Sequence, residues 1–116
     1  MKDLSKKKCL PCLKATPILK ETELKALHEE LGESWVIINK HHLEKAFVFK
    51  NFKEALAFVN EIAEIAEEEK HHPNLILSWG KVIVQLWTNA IQGLCENDFI
   101  LAAKIDALYI SKTGKS

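Results

Sequence analysis

At 116 residues the chain is long enough for one compact unit and too short for a two-domain enzyme. Hydrophobic residues make up 47% and charged residues 28%, an ordinary globular balance that argues against both disorder and a membrane protein, and no apolar run approaches the roughly 20 residues of a spanning helix. The 16 basic side chains are matched by 16 acidic ones, which removes the broad positive field on which phosphate-tracking nucleic-acid binders rely.

Residues 1–20 combine lysine clusters, prolines and the pair Cys9 and Cys12 without periodicity, and read as an irregular, loosely packed N-terminal arm. The apolar stretch around Leu10 and Leu13 is too short for a secretory signal, and the odd cysteine count argues against a disulfide scaffold, so a cytoplasmic protein is expected. A domain is expected over residues 21–111. It opens with a short amphipathic helix capped by Thr22, carrying Leu24, Leu27 and Leu31 on one side and stopped by Gly32. Trp35 to Ile38 and Leu43 to Lys50 form a hairpin, with Asn39, Lys40, His41 and His42 as its solvated turn.

From Phe52 the period becomes helical: Phe52, Ala55, Leu56, Val59, Ile62, Ala63 and Ala66 line one side, and the pattern ends before Pro73. Phe58 and Ile65 widen the apolar side toward deeper burial or a subunit contact. Leu75, Leu77 and Trp79 alternate with polar residues, and Val82 to Thr88 follows across a turn at Gly80 and Lys81, giving a second hairpin. After Gly93, Glu96 to Ile110 returns to helical spacing, and residues 112–116 are a polar tail. Helix, hairpin, helix, hairpin, helix specifies an α+β fold: a four-stranded antiparallel sheet with the helices packed on one face.

His71 and His72 stand where the long helix ends and the third strand begins, beside Glu67, Glu68 and Glu69. The negative end of a helix dipole and nearby carboxylates place such imidazoles for acid–base work, although paired loop histidines are also common on surfaces. Cys9 and Cys12 have the spacing at which two thiolates grip a metal or close a reversible disulfide; without two further ligands at standard spacing they equally fit a reduced pair. Trp79 and Trp87 suit core or subunit contacts, yet an aromatic beside a histidine site can stack a flat ring. No glycine-rich phosphate loop, nucleophile elbow or zinc-protease motif occurs.

The run from Glu67 to Asp106, with Glu67, His71, His72, Pro73, Trp79 and Asp98 in register, Gly93–Leu94, and the string from Leu101 to Asp106, resembles the pterin-4a-carbinolamine dehydratase family. The Phe47, Phe49, Phe52, Ala55, Leu56 and Phe58 arrangement is similar too, as is the Cys-x-Pro-Cys arm of bacterial relatives. The resemblance implies a lyase of tetrahydrobiopterin metabolism that removes water from a 4a-hydroxytetrahydropterin without metal or organic cofactor. It implies His71 and His72 as catalytic residues, with Asn89, Trp79, Pro73, Asp98 and Glu67 binding substrate. A homodimer or homotetramer is also implied, while the charge balance and the lack of a spanning apolar run lead to the expectation of no nucleic-acid or membrane partner; the alternative is a weakened member kept as a protein-interaction or pterin-binding module. One departure stands out: Asn89 occupies the place of the family's third histidine, and an amide hydrogen-bonds but does not shuttle protons near neutral pH. At the start of the last helix Cys95 replaces the usual Ser or Thr cap, which leaves capping to Asp98 or water.

Overall fold

The computed structural model describes residues 4–9, 19–32 and 34–114. Three helices, α1 (Glu21–Leu31), α2 (Phe52–Glu69) and α3 (Glu96–Thr113), alternate with two hairpins, β1 (Val36–Ile38) with β2 (His42–Val48) and β3 (Asn74–Ser78) with β4 (Lys81–Leu86). The four strands form one antiparallel sheet in the order β1-β2-β4-β3, so the two hairpins join through β2 and β4. The helices cover one face, as the alternation of the strands requires. Leu43, Phe47, Val82, Val84 and Leu86 point inward and are buried, while Val48 and Ile76 on the other face are exposed.

Burial on α2 selects one stripe of its apolar side. Ala55, Phe58, Ile62 and Ala66 are buried at the three-and-four spacing of a helix face, whereas Phe52 and Leu56 remain 43% and 39% exposed. Phe58 packs with Phe47, Phe49 and Tyr109, ring centroids 5.0 to 5.7 Å from its own. The Tyr109 hydroxyl donates to the Val48 carbonyl at 2.9 Å, which pins α3 to β2. At the other end of that contact Lys45 is largely enclosed, its ammonium 2.7 Å from Asp106 Oδ1 and 4.8 Å from the Phe47 ring, while Trp35 Nε1 donates to Asp106 Oδ2 at 2.9 Å.

Several boundaries differ from the sequence expectation. Thr22 lies inside α1, whose N-cap is Lys20. His42 belongs to β2, paired with Ile38 across a three-residue connection, Asn39 to His41, in which Asn39 and Lys40 both take left-handed backbone angles and turn the chain back on itself. Trp79 leaves the strand for the β3–β4 turn. Here Gly80 is needed: a Cβ would stand 2.9 Å from the Phe49 carbonyl. α2 ends at Lys70 in the left-handed conformation, three residues before Pro73. Lys112 and Thr113 belong to α3 rather than to a tail. The described part of the arm is not loose either. Leu4 is 4% exposed in the main core, and Lys7 pairs with Glu96 at the start of α3.

Candidate active site

The left-handed cap at Lys70 turns the chain off α2, and the next two residues carry their imidazoles to different partners, as neighbours in extended geometry do. His71 faces inward. Its Nε2 lies 2.6 Å from Asp98 Oδ1, and Asp98 is completely buried. The second carboxylate oxygen accepts from the Thr88 hydroxyl at 2.9 Å and from the Cys95 backbone N–H at 3.0 Å. Asp98 therefore does two tasks from the first turn of α3: it supplies the cap that Cys95 does not, and it orients the His71 ring. Because an ionised carboxylate only accepts, His71 Nε2 is the donor and Nδ1 is the nitrogen left for other work.

His72 faces outward. Its Nε2 meets the Glu67 carboxylate one turn back on α2, and the side chain is 60% exposed. It lines a cleft of about 240 Å³ together with Pro73, Asn74, Trp87 and Asn89. Sheet register ties the lining residue Asn74 into a polar row: Asn74 pairs with Gln85, which pairs with Glu44, and the side chains continue the row, Asn74 Nδ2 to Gln85 Oε1 at 2.7 Å and Gln85 Nε2 to Glu44 Oε1 at 2.6 Å. Beyond β4 the alternation persists. Thr88 points into the core toward Asp98, while Trp87 and Asn89 border the cleft, joined by a hydrogen bond from Trp87 Nε1 to Asn89 Oδ1 at 2.8 Å.

His72, Pro73 and Asn89 line the cleft together and Glu67 joins it through His72, whereas His71 and its partner Asp98 are not among the lining residues. Trp79 does not reach it. Five strand steps separate it from Asn74, about 17 Å of extended chain, and its side chain is 69% exposed at the opposite end of β3. The aromatic at the cleft is Trp87. Its signal in the sequence is its place two residues before Asn89, on the same side of an extended segment. His41 and His42 are likewise half-buried rather than solvated: their rings lie 5.3 and 5.9 Å from that of Trp87.

A family model described as pterin 4 alpha carbinolamine dehydratase matches residues 17–108. The chain belongs to this family. Dehydratases of this kind are hydro-lyases. A relative from Alkaliphilus metalliredigens, named "putative pterin-4-alpha-carbinolamine dehydratase", is 53% identical over 91% of this chain and 96% of its own. One of the same name from Rubrobacter xylanophilus is 44% identical over 93% of this chain and its own full length. Among solved structures, a transcriptional coactivator/pterin dehydratase from Brucella melitensis matches with TM-score 0.74 and 28% identity over 80% of this chain and 99% of that one. A pterin dehydratase-like RuBisCO assembly factor of the alpha-carboxysome matches at TM-score 0.59 and 30% identity, over 68% of this chain and 93% of that one.

The Cys-x-x-Cys readings have little in the described structure to draw on. Cys12 lies outside the described residues. Cys9 is a free thiol and Cys95 is disulfide-bonded. Burial, then the Glu69 carboxylate that accepts from the Cys9 N–H at 2.8 Å, push the Cys9 thiol up to about 12, the opposite of a reactive cysteine. Among the described residues no group of three or more His, Cys, Asp or Glu side chains is arranged to hold a metal ion, and no described helix is long and apolar enough to cross a membrane.

Proposed function

We propose that the protein removes water from a 4a-hydroxytetrahydropterin to give the quinonoid dihydropterin, in the recycling of tetrahydrobiopterin, with His72 and His71 sharing acid and base duties. The observation that carries the proposal is the division of the histidine pair: His72 opens onto a cleft bordered by Trp87 and Asn89, while His71 is oriented by a buried carboxylate. In the reaction a base takes a ring N–H proton, its electron pair forms the C=N bond, the C–O bond at the 4a carbon breaks, and an acid protonates the departing hydroxide. Imidazole titrates near neutral pH and suits both transfers. Glu67 beside His72 and Asp98 beside His71 each hold an imidazole by its Nε2 and so fix the orientation of the ring. Asn89 supplies hydrogen bonding where the family has its third histidine.

General acid–base help is worth about 10²–10⁴-fold, or about 3–5 kcal/mol, so two working histidines leave a measurable enzyme. The 4a-hydroxypterin is generated in situ with an aromatic amino acid hydroxylase, and its ultraviolet decay is followed with the protein, with His72→Ala, with His71→Ala and with buffer. Acceleration lost in the variants supports the assignment. Equal rates for all three proteins remove the histidines from the mechanism. No acceleration above buffer favours a second reading, a binding or assembly module, which Asn89 and the likeness to the carboxysome assembly factor keep in view.

The proposal includes a cytoplasmic homodimer or homotetramer that binds no nucleic acid. Exposed Val36, Val48 and Ile76 on the open sheet face, and Phe52 and Leu56 on α2, are the surfaces such an assembly would cover. Sedimentation equilibrium tests it; a monomer at micromolar concentration would overturn that part.

A further inference from the structure

We infer that Trp87 is the positioning residue that gives the cleft its hydrogen-bond polarity: it holds the Asn89 amide so that the NH2 group, and not the carbonyl, meets the ligand. The inference rests on the pterin reading of the cleft and deepens it. An indole N–H donates and never accepts, so the 2.8 Å contact from Trp87 Nε1 is made to Asn89 Oδ1 and assigns the amide's orientation by chemistry. With the oxygen engaged, the donor end of Asn89 remains, without a hydrogen-bond partner among the described residues, at a cleft that Asn89 itself lines.

A free asparagine in that place would offer either end. Trp87 cannot readily swing away to allow it. The His41 ring stands 5.3 Å from the indole and the His42 ring 5.9 Å, and the two imidazoles are joined to each other, Nδ1 to Nδ1 at 3.1 Å. The indole also lines the cleft, together with Pro73 and Asn74. The site therefore selects a planar heterocycle with an acceptor at its edge, a carbonyl or hydroxyl oxygen or an unprotonated ring nitrogen, lying against Trp87 and receiving a hydrogen bond from Asn89.

The test uses the full chain and 7,8-dihydrobiopterin as a stable probe for calorimetric binding, with dehydration assays run in parallel. Trp87→Phe keeps an aromatic wall and removes only the N–H. It is expected to weaken probe binding and raise KM about tenfold, the worth of one oriented hydrogen bond, with kcat within about threefold. Asn89→Ala is expected to lose a similar factor. The decisive readout is the double variant Trp87→Phe/Asn89→Ala, which should be no weaker than Asn89→Ala alone, because a positioner has nothing to position once its target is gone. Asn89→Asp, which keeps the Trp87 contact but turns an acceptor to the cleft, should bind more weakly than Trp87→Phe. Wild-type affinity in Trp87→Phe, or losses that multiply in the double variant, would overturn the assignment while leaving the pterin reading intact. Failure of the wild-type chain both to bind the probe and to accelerate dehydration would overturn the pterin reading and this assignment with it.

Discussion

Asp98 and His71 lie 27 residues apart in the chain and meet at 2.6 Å in the fold, with no solvent reaching the carboxylate. Asp98→Ala deprives His71, the Thr88 hydroxyl and the Cys95 N–H of their acceptor at once. At about 1–3 kcal/mol for each buried group left unpaired, the variant should lose at least about 3 kcal/mol in urea unfolding. Its dehydration rate should fall with that of His71→Ala. Asp98→Asn, which keeps the shape and one good acceptor, should fall between. A loss under 1 kcal/mol in Asp98→Ala would contradict this account of the dyad.

A second, partly enclosed carboxylate has no place in the cleft. Asp106 accepts from Lys45 and from Trp35, and both partners are largely enclosed. Asp106→Ala strands a largely enclosed cation and an indole N–H and should cost about 2–3 kcal/mol, below the range for breaking a fully buried pair because solvent still reaches both partners. Removing charge from both sides, in Lys45→Met/Asp106→Leu, should restore much of that loss. Chemical denaturation of the single and double variants checks the sign of the difference.

Trp79 is the expected binding residue that the fold removes from the site. Trp79→Ala should leave the dehydration rate within twofold of wild type and stability within about 0.5 kcal/mol, as for other exposed positions without partners. A tenfold fall in rate would show that this indole reaches a cleft in an assembled neighbour.

The Cys9 thiol predicts a pH dependence. Its folded-state value of about 12 lies above the ordinary 9.0, so between those values the unfolded chain has lost a proton that the folded chain retains. Stability held fully below pH 9 should therefore decline as pH rises toward 12. Cys9→Ala should flatten the fall in Tm between pH 9 and 11. Alkylation of the native protein at pH 8 should be slower than that of a free thiol. An unchanged slope in the variant would assign the alkaline loss elsewhere.

The element order, the antiparallel sheet and its covered face were legible in the chain because strand alternation and helical spacing are local properties, carried by runs such as Leu75–Leu77 and Ala55–Phe58–Ile62. His71 and His72 were legible as a pair at a helix end. Their division of labour was not. Which imidazole turns inward depends on the left-handed residue at Lys70 and on where α3 delivers Asp98, and both are set by packing. Trp79 and Trp87 look alike in sequence, each ending an apolar alternation. Only the antiparallel pairing of β3 with β4 decides that residue 87 returns to the end where β3 begins, beside His72, while residue 79 is left at the turn. Composition and periodicity determined what the chain would bury; the direction of its strands decided which polar groups would meet, because contacts between distant residues follow from register and not from local pattern.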